Sequence, residues 1–305
     1  MKFPGGKKFA FTIVDDTDNA TVENVKPVYD HLHECGLRTT KTVWVYPPQA
    51  GNPYIGECLS DENYLAFIKE LQKRGFEIAL HSIGSGAFTR SEIICGLEIF
   101  KDKIGYFPQV HINHASNPDN IYWGRKRVSF PLSLVYGAIK RQRFSGEKED
   151  SPFFWGDIHK KYIKYTRNFT FGDINTLRSD LWFPYIDKNK SKYSNFWFSS
   201  SDGADIAKFV TLLSRKNVDR LANEQGVCIV YTHFASGFVR DGTLDKGFAK
   251  AIEYLASKNG WFVPVSAILD HLLEAKEHKH KELTVLRKAK TELKWVAEKL
   301  LQRKI

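Results

Sequence analysis

The feature that most constrains this chain is Phe9 to Asp18, FAFTIVDDTD, where an apolar run stops abruptly at Asp15, Asp16 and Asp18. Apolar continuity from Phe9 to Val14, broken only by Thr12, predicts a parallel strand covered on both faces rather than a half-exposed alternating one. Strands of that kind belong to sheets and barrels built from βα units, in which ligands bind at the carboxyl ends. Adjacent aspartates at such an end repel each other unless a cation or a proton compensates them. Asp18 or Asn19 is the expected cap of the helix that follows.

Strand and helix signals then alternate. Thr21 to Leu37 carries Val22, Val25, Val28, Tyr29 and Leu32 at helical spacing, and the β-branched run Thr39 to Tyr46 reads as the next strand. A helix is predicted from about Ser60 to Arg74, and the short strand Phe76 to Leu80 delivers His81 at its end. Thr89 and Glu92 have capping-box spacing for a helix reaching about Lys103. In Pro108 to His114 the period of two puts Val110, Ile112 and His114 on one face. From about residue 139 to residue 200 the rhythm gives way to an aromatic, basic stretch, read as an insertion in which Phe153, Trp155, Trp182 and Trp197 mostly fill a subsidiary core. It resumes with a helix from Asp205 to Arg215, the strand Val227 to Tyr231 leading to His233, a helix from Phe248 to Ser257 and a last strand, Trp261 to Val265.

The expected class is therefore α/β, with enough βα units for a barrel over residues 1–276, the insertion 139–200 included. Residues 277–305 are expected to form a basic amphipathic helix with Val285, Leu286, Ala289, Leu293, Val296 and Leu300 in one stripe. Such a tail could pack on the body, self-associate, or lie peripherally on an anionic membrane, for which Trp295 is suited.

Composition narrows the partners. In 305 residues, 45 Lys and Arg against 35 Asp and Glu leave a net charge of +10, which favours weak, salt-sensitive attraction to polyanions or anionic lipid. No nucleic-acid module accompanies the charge, so no specific nucleic acid is expected as a partner. Cys35, Cys58, Cys95 and Cys228 lie far apart without CxxC spacing, which argues against a disulfide framework. The start, MKFPGGKKFAF, lacks the apolar region of a secretory signal and no later segment is apolar enough to span a bilayer, so the expected location is cytoplasmic.

Chemistry-bearing residues recur at strand ends: Asp15 and Asp16, His81, His114 and His233. Carboxylate with imidazole is a common ligand set for zinc or a similar divalent ion. In this order, the residues resemble the polysaccharide deacetylases of the NodB type, carbohydrate esterase family four, over about Phe9 to Leu272. FTIVDDTD is similar to the family's first motif, TFDDG, whose first aspartate is the catalytic base and whose second binds metal, implying Asp15 and Asp16 for those roles. EIALHS resembles the start of HSxxH and implies a metal ligand at His81; VYTHF resembles the late LxH motif and implies a general acid at His233. WFVPVSAILDHL is similar to the closing strand and helix.

The resemblance implies an irregular (β/α) barrel and a zinc-type, metal-dependent hydrolase that removes an acyl group from an N-acetylated sugar or carbohydrate precursor. This chain departs from the pattern at Ser85, where the second motif has its second histidine, and in lacking the third motif, with HINHASNPDN at the corresponding strand. His114 is the replacement ligand to test, and Asp157 of FFWGD is a reserve site candidate. Arg90, Arg125 and Arg240 are candidates for orienting a sugar or an anionic substituent. Two other readings stay open: a catalytically silent barrel that binds a saccharide or a partner in polysaccharide assembly, and a hydrolase working without metal.

Overall fold

A computed structural model describes residues 2–139, 144–276 and 281–302. The expected barrel is present. Its strands are β1 (Phe9–Asp15), β2 (Thr40–Val43), β3 (Glu77–His81), β4 (Val110–Ile112), β5 (Tyr165–Phe171), β6 (Phe196–Asp202) and β7 (Val227–Thr232). Each pairs in parallel with the next, and β7 returns to β1 from Ala10↔Val227 to Asp15↔Thr232, which closes the sheet. A small antiparallel hairpin, β8 (Val239–Arg240) with β9 (Thr243–Leu244), precedes β10 (Gly260–Phe262). The irregularity lies at β1, whose other edge is shared: β10 pairs with its first residues at Phe9, Ala10 and Phe11, while β2 pairs with Val14 and Asp15.

The helices α1 (Val22–Glu34), α2 (Glu62–Lys73) and α3 (Arg90–Ile104) follow the first three strands. After β4 come α4 (Leu132–Ile139) and α5 (Gly156–Tyr162), then the single turn α6 (Thr176–Ser179) between β5 and β6. The chain finishes with α7 (Ile206–Leu212), α8 (Arg215–Asn223), α9 (Lys246–Ala256), α10 (Val265–Glu274) and α11 (Val285–Gln302).

The period of two divides each strand between two cores. Phe9, Phe11 and Ile13 of β1 pack outward with Ile78 and Leu80 of β3, Cys228 and Val230 of β7, and the apolar faces of α1, α2 and α3. Ala10 and Val14 alternate to the other side and join Ala79, Val110, Ile112, Tyr165, Val227 and Ile229 in the lumen. Lumen residues fill the lower barrel with apolar side chains; the same phase continued to the strand ends and just past them delivers His81 and Tyr231, then Asp16 and His114, to the upper rim.

Residues 139–200, expected as an insertion, include two staves of the barrel, β5 and β6. Arg167 and Asn168 in the first and Ser199 to Ser201 in the second are buried polar residues, so neither strand shows the apolar pattern of a buried stave. Of the aromatics named there, Trp155 and Trp197 are core residues, Phe153 is half-buried, and Trp182 is half-buried beneath the Arg287 guanidinium, 3.5 Å from its ring centre.

The tail packs on the body. Trp295 is 3% exposed against Phe169, and Glu292 accepts hydrogen bonds from the Ser129 N–H (2.9 Å) and hydroxyl (3.1 Å). Val285, Leu286, Leu293 and Leu300 of the expected stripe are exposed, and Val296 of the stripe packs, half-buried, into the contact made by Trp295. Residues 277–280 and 303–305 of the expected tail lie outside the described residues. No described helix is long and apolar enough to cross a membrane.

Candidate active site

The turn after β1 decides which carboxylates reach the rim. Asp15 shares the outward phase of Phe9, Phe11 and Ile13, and its side chain turns away from the lumen toward α1. There it accepts hydrogen bonds from the Tyr29 hydroxyl (2.9 Å), the Lys41 ammonium (2.8 Å) and the Phe234 N–H (2.8 Å). Both Asp15 and Lys41 are fully buried. Burial works against the Lys41 ammonium, but the charge and hydrogen bond of Asp15, together with Tyr64 and Asp16, outweigh it and hold the amine above its ordinary range. Asp15 therefore does not line the pocket, contrary to its expected place as the base, because one residue of strand alternation separates it from the lumen.

Asp16 occupies the lumen phase. Both its oxygens accept from the Arg167 guanidinium, Nη1 at 2.9 Å and Nη2 at 2.5 Å, and Arg167 lies over the Tyr231 ring, 4.4 Å from its centre. The expected metal ligand is thus engaged by an arginine.

Asp18 fills the position expected for a ligand. It does not cap α1: Thr21 does, accepting the Asn24 N–H at 3.3 Å while Asn24 accepts the Thr21 N–H at 2.9 Å. Asn19, at φ 60°, adopts the left-handed conformation that Asn tolerates, and the chain turns there between Asp18 and the cap. Asp18 is 6% exposed and faces three imidazoles. Its Oδ1 lies 2.9 Å from His114 Nε2 and 3.3 Å from His81 Nε2, and its Oδ2 lies 3.0 Å from His233 Nε2. Burial would raise this carboxyl, yet the His81 charge, the close approach of His114, the hydrogen bond from His233 and the close approach of His81 hold it well below the usual carboxylate range.

The surrounding hydrogen bonds orient these rings. His114 Nδ1 lies 2.9 Å from Asn117 Oδ1, which also accepts from the Gly86 N–H (3.0 Å), so the Nδ1 proton points to Asn117 and the Nε2 edge of the ring is turned toward Asp18. Ser82, a non-glycine residue at φ 49° directly after His81, accepts the His114 N–H and donates to Asn120 Oδ1, tying the ends of β3 and β4 together. Trp44 stacks near-parallel to His81, and the Tyr54 ring meets His114 edge-on at 4.9 Å.

A divalent ion fits this set. With Nδ1 turned to Asn117, His114 directs its Nε2 at Asp18 Oδ1, 2.9 Å away, where the two atoms can share a cation. His81 Nε2, His114 Nε2 and Asp18 Oδ1 are all buried without a hydrogen-bond partner of good geometry, and the donor atoms of Asp18, His81 and His114 lie within 4.8 Å of one another. One carboxylate and two imidazoles suit zinc and similar ions, and the Asn117 contact is the usual outer support of a metal-bound histidine.

His233 differs from the other two. Its Nδ1 lies 3.0 Å from the Ala204 carbonyl and its Nε2 reaches Asp18, so both ring nitrogens face acceptors and both carry hydrogen. Burial lowers its affinity for the proton, but the hydrogen bond to Asp18 and the charges of Asp16 and Asp18 prevail and raise its pKa to about 9.

The rim encloses a pocket of about 230 Å³, with Asp16, Asp18, His81 and His233 at one side and Trp123, Arg127, Asn168 and Thr170 at another. Asp157 forms a partly exposed bidentate pair with Arg90 and does not line it. Arg90, Arg125 and Arg240 are likewise absent from the lining; Arg127 and Arg167, which sequence reasoning passed over, take the arginine positions. Ser85, at the place of the missing histidine, is buried with an unpartnered hydroxyl, and His114 from the next strand end stands beside Asp18 and His81.

No family model matches the chain, and no curated protein matches it. Solved structures do. A protein from Mycobacterium smegmatis assigned as a polysaccharide deacetylase aligns over 93% of this chain and 96% of its own at 11% identity, with a TM-score of 0.50. The fold is that of a polysaccharide deacetylase. The peptidoglycan deacetylase PdaC of Bacillus subtilis aligns over 90% and 96% of the two chains at 14% identity and a TM-score of 0.41. A family 4 acetyl xylan esterase of Clostridium thermocellum, in complex with cobalt, covers 88% and 92% at 16% identity and 0.39. The deacetylase-type barrel expected from the motifs is thus the fold observed, and the site within it is described by its own residues.

Proposed function

We propose that this chain is a metal-dependent hydrolase that removes an acyl group from the nitrogen of an amino sugar or related carbohydrate precursor. Asp18, His81 and His114 hold the metal, Asp16 is the base and His233 the acid. The supporting observation is the buried cluster of Asp18, His81 and His114, whose donor atoms lie within 4.8 Å of one another, with Asp18 Oδ1, His81 Nε2 and His114 Nε2 lacking a hydrogen-bond partner of good geometry. When bound, a divalent ion such as zinc would polarise an acyl carbonyl and lower the pKa of a water molecule. Arg167 fixes the Asp16 carboxylate, each oxygen of which keeps a second lone pair to accept the water proton. His233 presents its Nε2 hydrogen from the opposite side of Asp18 and protonates the departing amine. Relative to the family's first motif, the base and ligand roles move to the second and third aspartates of DDTD, Asp16 and Asp18.

The reading predicts acetate release from one or more members of a panel of N-acetylated mono- and oligosaccharides. Exhaustive chelation lowers that rate by at least about 100-fold and added zinc restores it, since the carbonyl then regains its electrostatic stabilisation. Turnover that survives chelation contradicts the metal-assisted mechanism. A zinc-saturated protein that binds a saccharide without hydrolysing any member of the panel supports the catalytically silent barrel instead.

A further inference from the structure

Arg127 is a buried cation without a counter-charge. It is 8% exposed, its guanidinium carbon lies 4.1 Å from the Trp123 ring centre, 4.7 Å from Trp295 and 5.5 Å from Phe169, and it lines the same pocket as Asp16 and Asp18. Its Nη2 donates to the Asn168 carbonyl and its Nε to Asn168 Oδ1 at 3.4 Å. Nearby cations are compensated: Arg167 by Asp16, Lys190 and Lys288 by Asp187, and Lys299 by Asp202. Among the described residues, no carboxylate comes within ion-pair distance of Arg127; the groups that bear on it are the Tyr136 hydroxyl, the like charge of Arg167 and the Tyr185 hydroxyl. Burial, with the Arg167 repulsion added, outweighs the Tyr136 and Tyr185 hydroxyls and pulls its pKa down to about 10.

An enclosed guanidinium without an anion is costly unless something supplies one. The aromatic rings hold its plane and stabilise the cation in part, but they accept no hydrogen bonds in the pocket. Its two bonds to Asn168 and its contact with the Tyr136 hydroxyl still leave N–H groups in the five-donor planar fork, a shape matched to carboxylate and phosphate oxygens.

We propose that Arg127 is a specificity-determining residue that binds an anionic substituent, carboxylate or phosphate, carried by the saccharide whose N-acyl group lies at the Asp16 and Asp18 side of the pocket. The placement of the acyl group rests on the hydrolase reading above; the anion preference does not. The substrate class is then an acidic or phosphorylated N-acyl sugar rather than a neutral chitin-like one.

The test is calorimetric titration of the full chain at fixed ionic strength, with chelator present so that no metal contributes to anion binding. Three probes separate the sources: N-acetylmuramic acid for the carboxylate, N-acetylglucosamine-1-phosphate for the phosphate, and neutral N-acetylglucosamine. At least one anionic sugar is expected to bind about 10-fold or more tightly than the neutral one, the range of a charge-assisted bidentate contact. Arg127→Gln removes that preference and Arg127→Lys keeps part of it, whereas a merely structural arginine would not alter the ratio. Should Arg127→Gln fail to fold, the wild-type ratio and the lysine variant decide. Equal affinities, undetectable binding of both anionic sugars in the millimolar range, or a preference intact in Arg127→Gln would overturn the assignment. Because binding is read without turnover, an inactive protein that prefers the anionic sugar disproves the hydrolase and leaves Arg127 in place; an active one without preference does the reverse.

Discussion

Asp15→Asn is expected to cost about 3–5 kcal/mol of folding stability, because it strands the buried Lys41 ammonium without its counter-charge. The neutral amide keeps one oxygen for the Tyr29 hydroxyl or the Phe234 N–H, but it cannot balance an enclosed charge that the carboxylate meets at 2.8 Å. Denaturant unfolding measures this loss. Activity per folded molecule should stay within a few-fold of wild type, since Asp15 lies outside the pocket. The aligned first motif implies the opposite: if Asp15 were the base, the same substitution would stop turnover and leave the melting midpoint nearly unmoved.

Asp16→Asn should produce the complementary result. Turnover falls by about 10²–10⁴-fold, the usual contribution of a positioned general base. Affinity for zinc changes little, because Asp18, His81 and His114 remain. Some stability is lost as Arg167 loses half of its bidentate contact, though less than at Lys41, since Arg167 faces the pocket and lies over Tyr231. Steady-state kinetics at zinc saturation, paired with a zinc titration, separates a lost base from a lost ligand. Unchanged kcat would remove Asp16 from the mechanism.

The architecture was legible in the sequence where strands carry apolar residues in both phases, as β1, β3 and β7 do, and where a histidine closes the strand. His81, His114 and His233 stand at one rim because each lies at or just past the carboxyl end of a strand of the same parallel sheet. The roles of the three aspartates were less legible. Reading β1 as apolar on both faces found the strand but ignored its phase: counting by twos from Ala10 through Val14 reaches Asp16, whereas counting from Phe9 reaches Asp15. Asp18 lies past the strand, where periodicity says nothing, and its direction depends on the Asn19 turn and the Thr21 cap.

Strands β5 and β6 were hidden by their own function. A lumen arginine at 167 and the buried Ser199 and Ser201 are tolerated because they bond to Asp16, Asp180 and the Asp173 and Ile174 carbonyls, long-range partners that no local pattern reveals. The signal that could have found Arg167 is a single arginine amid YTRNFTF, a stretch otherwise suited to a strand. Arg127 had no such signal, lying among the basic residues of GRKR, where solvation is the default.

The central claim is that Asp18, His81 and His114 form one divalent-cation site. Calorimetric titration of zinc into chelator-stripped wild type and Asp18→Asn tests it most directly: wild type should bind at a single site and Asp18→Asn at least about 100-fold more weakly, beyond the 10–100-fold typical of losing an outer-shell partner. Failure of wild type to bind a divalent ion, or wild-type affinity in Asp18→Asn, would contradict the account.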